Sequence, residues 1–311
     1  MNRATVNWTE VADRCFQRRY GALDVSVGVV LGAAGVLLID TLASRREAER
    51  LRFDLRRLGV RREPRWVVNT HAHFDHCFGN SAFAPDGGVW GHPSVPDDLS
   101  RADREALAAE FPDWADDVRV DPIEPPERLV AASAAIDLGD RVVKLHHLGR
   151  GHTGGDLVVT VPDARCVYAG DLVEESGPPA YGLDSFPLEW PTTLMQLLNL
   201  SFDALVPGHG AAVDRDFVVR QAGEIALVAL RIREFHAAGV AAGEAVAAGD
   251  WPYPREVIAP AVRRGFEHLD AAGRDPGRDP GRDPGRDPGR DPGRDPARDD
   301  ARNAHGADPE G

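Results

Sequence analysis

Apolar and polar positions along this chain alternate between two periods. Residues 8–42 read as β. Val27-Gly28-Val29-Val30-Leu31 and Val36-Leu37-Leu38-Ile39-Asp40 are apolar runs on either side of Gly32-Ala33-Ala34-Gly35, which predicts a hairpin with a short glycine-bounded turn. The period then becomes helical. Ala48, Leu51, Leu55 and Leu58 recur every three or four residues, Ser44 and Glu47 form a capping-box pattern ahead of them, and Gly59 stands where the helix should stop. Residues 65–70 return to a buried strand, and Val89-Trp90-Gly91 is another short one. Residues 97–117 predict an acidic helix anchored weakly by Leu107 and Phe111.

Beyond this the alternation resumes over residues 136–149, followed by strands at Leu157-Val158-Val159-Thr160-Val161 and at Cys166-Val167-Tyr168-Ala169, the second ending at Asp171. Pro191 opens a helix carrying Leu194, Leu197 and Leu198. Ala204-Leu205-Val206 is a final short strand. Residues 214–238 form a helix with Phe217, Gln221, Ile225, Val228, Ile232 and Phe235 on one stripe, and residues 254–270 form a last one with Val257, Ile258, Val262, Phe266 and Leu269. From Gly273 to Pro296 the tetrapeptide Gly-Arg-Asp-Pro repeats six times. With no large apolar side chain, such a stretch cannot bury enough surface to offset chain entropy. The pattern predicts a body over residues 1–240, a helical extension over 241–272 and a disordered tail over 273–311.

Composition adds limits. The 311 residues are 42% hydrophobic and 28% charged, with a net charge of −14, of which residues 271–311 contribute only −2. An acidic body argues against nucleic acid and anionic membranes as partners, since both call for basic patches. Cys15, Cys77 and Cys166 are too few and too odd in number for a disulfide framework. The first residues lack the apolar run of a signal peptide, and no run reaches the length of a membrane span. A cytoplasmic protein acting on a small molecule is expected.

The chemistry concentrates in Thr70-His71-Ala72-His73-Phe74-Asp75-His76, where four potential metal ligands fall within six residues at the end of a strand. In near-extended backbone, residues two apart point the same way, so His71 and His73 can chelate one ion. Asp75 and His76, after the chain turns, can face a second.

His-Ala-His-Phe-Asp-His resembles the H-x-H-x-D-H signature of the metallo-β-lactamase-fold hydrolases, and His152, Asp171 and His209 match the later ligand motifs of that family in order and rough spacing. The resemblance covers about residues 10 to 240. It implies an α/β (α+β) fold of four αββα layers, two mixed sheets packed together with helices outside. It also implies two Zn²⁺ ions, with iron or manganese as alternatives. His71, His73 and His152 would hold the first metal, Asp75, His76 and His209 the second, and Asp171 would bridge them. The metals would activate a water as the nucleophile, and Asp75 would also orient it. Many true β-lactamases of this family place cysteine or serine where Asp171 stands. An aspartate there looks more like glyoxalase II and the lactonases, although residues 214–270 lack a convincing glutathione-binding pattern.

The expected activity is hydrolysis of an ester, thioester or lactone. An iron-dependent sulfur dioxygenase, a β-lactamase-like activity and a non-catalytic metal-binding role are the alternatives. Residues 174–190 follow Asp171 directly and are rich in glycine, proline and aromatics. They are expected to wall the substrate pocket through Tyr181, Phe186 and Trp190. His92, His146, His147 and Cys77 lie near the motifs. His92 reads as a strand end, His146 and His147 as supporting residues behind the ligands or as plain strand residues, and Cys77 as buried packing.

Overall fold

The computed structural model describes residues 8–21 and 23–273. The expectation of a disordered tail falls on residues 274–311, outside the described ones. Four strands come first: β1 (Thr9–Ala12), β2 (Cys15–Tyr20), β3 (Val25–Gly32) and β4 (Gly35–Ile39), each antiparallel to the one before. Gly32 and Gly35 pair across the predicted hairpin turn. Helix α1 (Arg45–Arg57) starts where Ser44 Oγ accepts from the Glu47 amide at 3.2 Å. This bond satisfies one of the free N–H groups of the first turn. The predicted stripe of Ala48, Leu51 and Leu55 buries against Val27, Val29 and Leu38, each leucine contributing about 1.5–3 kcal/mol.

Strand β5 (Trp66–Val68) runs parallel to β4 and delivers the chain to a one-turn helix, α2 (Phe74–Cys77). After β6 (Val89–Gly91) come α3 (Val95–Arg101), α4 (Arg104–Glu110) and α5 (Ala115–Val120). The single helix expected over 97–117 is thus three short ones. The break between α3 and α4 is set by Asp103, whose carboxylate accepts from the amides of Glu105 and Ala106 and so starts a new helix. The next break falls at Phe111, which precedes Pro112 and is pushed out of the helical region.

Strand β7 (Arg128–Leu129) is followed by β8 (Ser133–Asp137) and β9 (Val142–His147), a hairpin where the sequence suggested one alternating run. The chain continues through β10 (Leu157–Val161), β11 (Cys166–Glu174), α6 (Trp190–Leu198), β12 (Ala204–His209), α7 (Arg215–Ala237), α8 (Ala242–Ala248) and α9 (Arg255–Gly273). Helix α8, not foreseen, is alanine-rich and buries only Ala245, so it leaves no apolar stripe to read.

The twelve strands hydrogen-bond in the order β7-β6-β5-β4-β3-β12-β11-β10-β9-β8, with β2 and β1 beside β3. The two mixed sheets expected are halves of this one curled sheet, joined only where Val25 pairs with His209. Strand alternation then builds the layers. Leu37, Ile39 and Val68 of one half face Leu145, Leu157, Val159 and Tyr168 of the other. The opposite faces pack against α1 on one side. On the other side they meet α6, α7 and α9, through Leu194, Ile225, Ile232, Ile258 and Val262. This is the four-layer arrangement expected. No helix among the described residues is long and apolar enough to cross a membrane.

Candidate metal centre

Strands β11 and β12, the loop after β5 with α2, and the loop between β9 and β10 that carries His152 bring all seven expected ligands to one place, as two clusters: His71, His73, His152 and Asp171, and Asp75, His76 and His209. His71 and His73 sit on the loop after β5, and Asp75 and His76 on the single turn of α2. Asp171 lies inside β11, which runs on to Glu174 instead of ending there; its pairing with β12 slips on both sides of Gly170. Gly170 holds φ +53 against Thr70, and a Cβ on Gly208 would stand 1.7 Å from Asp171 Oδ1. Glycine at these two positions makes room for the carboxylate to reach the centre.

Asp171 Oδ2 is 3.6 Å from His71 Nε2, 3.3 Å from His152 Nε2 and 3.3 Å from His209 Nε2, and Oδ1 is 3.2 Å from His76 Nε2. A tetrahedral zinc site with bonds of about 2.1 Å has ligand–ligand edges of about 3.4 Å, so these separations suit shared coordination. Asp75 Oδ2 lies 3.4 Å from His209 Nε2 and 3.6 Å from His76 Nε2. His71 Nε2 and Asp171 Oδ1 are buried with no hydrogen-bond partner among the described residues. Leaving buried polar atoms unpaired is costly, and a cation between them would satisfy both.

The other nitrogen of each histidine is tied down. Nδ1 of His71 meets Thr70 Oγ1 at 3.0 Å, and Nδ1 of His76 meets Asp40 Oδ2 at 2.9 Å. Nδ1 of His152 meets the Ala180 carbonyl at 3.0 Å, and Nδ1 of His209 the Leu23 carbonyl at 2.7 Å. These contacts leave Nε2 as the ligating atom. His73 is reversed: its Nε2 meets Asp184 Oδ2 at 3.0 Å, which leaves Nδ1 for the metal. Such outer partners fix tautomer and ring orientation. Sequence reasoning missed Asp40 and Asp184. Asp40 closes an apolar strand in the left-handed region at φ 63 and accepts from both the amide and the hydroxyl of Thr70 at 2.8 Å.

The electrostatics are those of a metal-free centre. Burial, reinforced by charge on His76, holds the His71 imidazole well below its usual range. At His209 burial works against the charge, but Asp171 and Asp75 outweigh it and lift the pKa to about 10. Burial also opposes charge at His73, where Asp184 wins and the value rises to about 9. For Asp171 burial is outweighed by His76, His209, His71 and His152, which hold its carboxyl far below the usual range. His73 Nδ1 and His152 Nε2 are 2.8 Å apart; a proton shared there stands where a metal ion would bind.

The neighbouring candidates fall away from the centre. His146 meets Thr160 Oγ1, and His147 meets the Asp156 carbonyl and packs against His92, with ring centroids 4.3 Å apart. Cys77 Sγ donates to the His73 carbonyl, pinning the loop. A cavity of about 760 Å³ opens over the ligands. Its lining includes Tyr181, whose buried hydroxyl has no partner among the described residues, but neither Phe186 nor Trp190. The expectation of substrate contacts is therefore corrected for those two. Trp190 is fully buried and donates to the Leu172 carbonyl. Phe186 stacks on His268 and takes Arg150 over its ring. Both serve packing around α6.

The sequence model of the Metallo-beta-lactamase superfamily matches residues 20–209, a span that ends on His209. The chain belongs to this superfamily. The metallo-beta-lactamase type 2 of Bacillus cereus is 26% identical over 157 residues, covering 49% of this chain and 54% of that protein. The chain thus spans about half the length of the curated relatives it matches. Among solved structures, the stereoselective inverting sec-alkylsulfatase Pisa1 from Pseudomonas sp. superposes with a TM-score of 0.68 at 15% identity, over 85% of this chain and 50% of that one. The mono-zinc metallo-beta-lactamase FIM-1 from Pseudomonas aeruginosa gives 0.56 at 18% identity, over 72% and 96%. At these identities the two structures establish the shared superfamily fold and leave the substrate open.

Proposed function

We propose that this superfamily member is a dinuclear metal-dependent hydrolase of a small-molecule ester, thioester or lactone, with two Zn²⁺ ions as the resident metals. The observation that carries this reading is the convergence of seven candidate ligand side chains beneath an open cavity, two of their buried atoms lacking a hydrogen-bond partner among the described residues. His71, His73 and His152 would hold one ion, Asp75, His76 and His209 the other, and Asp171 would reach both. Bound there, the ions would supply Lewis acidity and bring the pKa of a water toward neutrality.

The chain's own groups do the rest. Asp75 Oδ2 faces the cavity between His76 and His209 and can orient a water or hold its proton. Tyr181 contributes to the cavity wall while its hydroxyl lies buried without a partner among the described residues. In place of a cysteine or serine, the carboxylate of Asp171 adds a full negative charge between the two sites, which favours holding two divalent ions close together.

The test is elemental analysis joined to a panel of esters, thioesters, lactones and a chromogenic β-lactam. Two equivalents of metal and turnover on an acyl substrate are expected, abolished in His71→Ala/His73→Ala. Two full equivalents of metal in that double variant would sink the ligand assignment. Turnover of the β-lactam alone, or oxygen consumption with a thiol substrate by an iron-loaded protein, would replace the proposed reaction.

A further inference from the structure

We propose, resting on the hydrolase reading above, that the cavity selects substrates with an apolar arm and no negative charge on that arm. The reacting group would sit at the metal floor. What lies beyond it is set by two other features of the cavity.

The first is an apolar wall. Phe74, Phe78, Leu107 and Phe111 line one side, Tyr181 and Leu183 another. The first four belong to a packed cluster with Val95, Leu99 and Trp114, and the Phe74 and Phe111 rings lie 4.7 Å apart. This wall is therefore built in and does not need a ligand to form. About 760 Å³ is far more than an acetyl group fills, and within the range of pockets that enclose a whole small molecule.

The second is charge. Asp98, Asp103 and Glu110 line the cavity away from the ligands, and Arg101 is the one lysine or arginine among the described lining residues. Arg101 is itself paired with Asp97 at 3.7 Å. Metal ions at the floor attract a polar or anionic reacting group. The acidic residues, set back along α3 and α4, act on the remote end, where a negative charge would be repelled within a Debye length of about 8 Å. A carboxylate- or sulfate-bearing arm is disfavoured, a neutral one accepted, and a cationic one tolerated.

The test uses hydroxamates, which chelate the metal without reacting. Binding to the zinc-loaded full chain is measured by calorimetry for acetohydroxamate, hexanohydroxamate and 5-carboxypentanohydroxamate. Hexanohydroxamate is expected to bind at least about tenfold more tightly than acetohydroxamate, from burial of its methylenes. It is also expected to bind about five- to tenfold more tightly than the carboxylate, by an amount that shrinks in 0.5 M salt on the order of the screening expected there. Glu110→Lys, on the exposed rim, should narrow the carboxylate penalty, and Leu183→Asp should weaken hexanohydroxamate. Equal or tighter binding of the carboxylate, or no gain from the longer arm, overturns the proposal. The same three acyl groups as p-nitrophenyl esters separate it from the reading it rests on. No turnover of any of these esters, nor of the thioesters and lactones of the panel, by fully loaded protein would reject the hydrolase, while the ratios of dissociation constants would still judge the cavity.

Discussion

Replacing Asp40 with asparagine is expected to strip the second metal site while leaving the fold in place. Asp40 is buried and accepts three hydrogen bonds, from the Thr70 amide, from the Thr70 hydroxyl and from His76 Nδ1, at 2.8, 2.8 and 2.9 Å. Its φ of 63 is left-handed, a conformation asparagine also tolerates, so the backbone needs no change. What changes is the proton on His76. If the asparagine oxygen keeps the Thr70 amide, its NH₂ group points at Thr70 Oγ1 and His76 Nδ1. A donor facing Nδ1 forces the hydrogen of the neutral imidazole onto Nε2, the atom 3.2 Å from Asp171 Oδ1 that the metal requires. Losing such an outer partner typically costs 10–100-fold in metal affinity, or about 1.4–2.7 kcal/mol. The first site keeps His71, His73 and His152: the partners of His73 and His152 are untouched, and His71 is reached only indirectly, through the Thr70 hydroxyl that loses its Asp40 acceptor. Equilibrium dialysis against a zinc buffer should show one tight equivalent where the parent protein has two, with the metal-free variant still unfolding cooperatively but at a lower temperature, since it loses the buried pair with His76. Two equivalents of unchanged affinity would refute the tautomer argument.

Asp171→Asn keeps the size of the side chain but removes the charge that reaches both clusters. It should lose the second metal preferentially and lower turnover by about two orders of magnitude or more, as read by metal titration and initial rates. Metal uptake should release protons. His73 and His209, lifted to about 9 and about 10 in the metal-free protein by the aspartates around them, and His76, raised against burial well above its usual range by Asp171, Asp75 and Asp40, are protonated at pH 7.5 and must deprotonate to ligate. Affinity should therefore rise with pH from neutrality to about 9, and calorimetry in buffers of differing ionisation enthalpy should report about three protons released; none would refute the assignment. The same three histidines stabilise the metal-free fold fully below their unfolded pKa of about 6.5, an effect lost as pH rises through the folded values. Phe186→Ala should cost about 1–3 kcal/mol of stability through lost packing on His268 and Arg150, yet leave KM within about twofold. A large rise in KM would return Phe186 to the cavity wall.

Most of the strands, α1, α6 and α7 were legible because each shows one uninterrupted period, with a cap and a glycine bounding α1 and α7 and a proline in the first turn of α6. The ligands were legible because their residue types are rarely grouped unless a metal joins them. Residues 95–120 were not. Their apolar residues serve one thin cluster, and what divides them is local, a carboxylate cap at Asp103 and the proline after Phe111. The outer partners were hidden for a different reason. Asp40 meets His76 across 36 residues and Asp184 meets His73 across 111, and neither periodicity nor residue type foretells a contact at that separation. Phe186 and Trp190 were misplaced because a glycine- and proline-rich loop with aromatics looks the same whether the rings face a pocket or a core.

The outer partners also show how the scaffold and the site are tied. The five histidines are oriented by four parts of the chain: the end of β4 through Asp40, the turn before β3 through the Leu23 carbonyl, the strand end at Thr70, and the loop after β11 through Ala180 and Asp184. The loop after β11 is distinctive because it does two things. Its Ala180 carbonyl and Asp184 carboxylate fix His152 and His73, both in the first cluster, while Tyr181, Leu183 and Asp184 line the cavity. A bound molecule that presses on this loop therefore acts on the orientation of two first-site ligands, and loss of the first metal relaxes the wall that meets the molecule. Coupling of this kind is reciprocal: a ligand that fits the wall without displacing the loop must raise the affinity of the first site, and one that pushes the loop away must lower it by the same factor. The second cluster is oriented by Asp40, which lies outside the cavity lining, and by the carbonyl of Leu23, the one of its outer partners that reaches the cavity. Substrate shape is thus expected to read out more strongly in the affinity of the first metal than in that of the second.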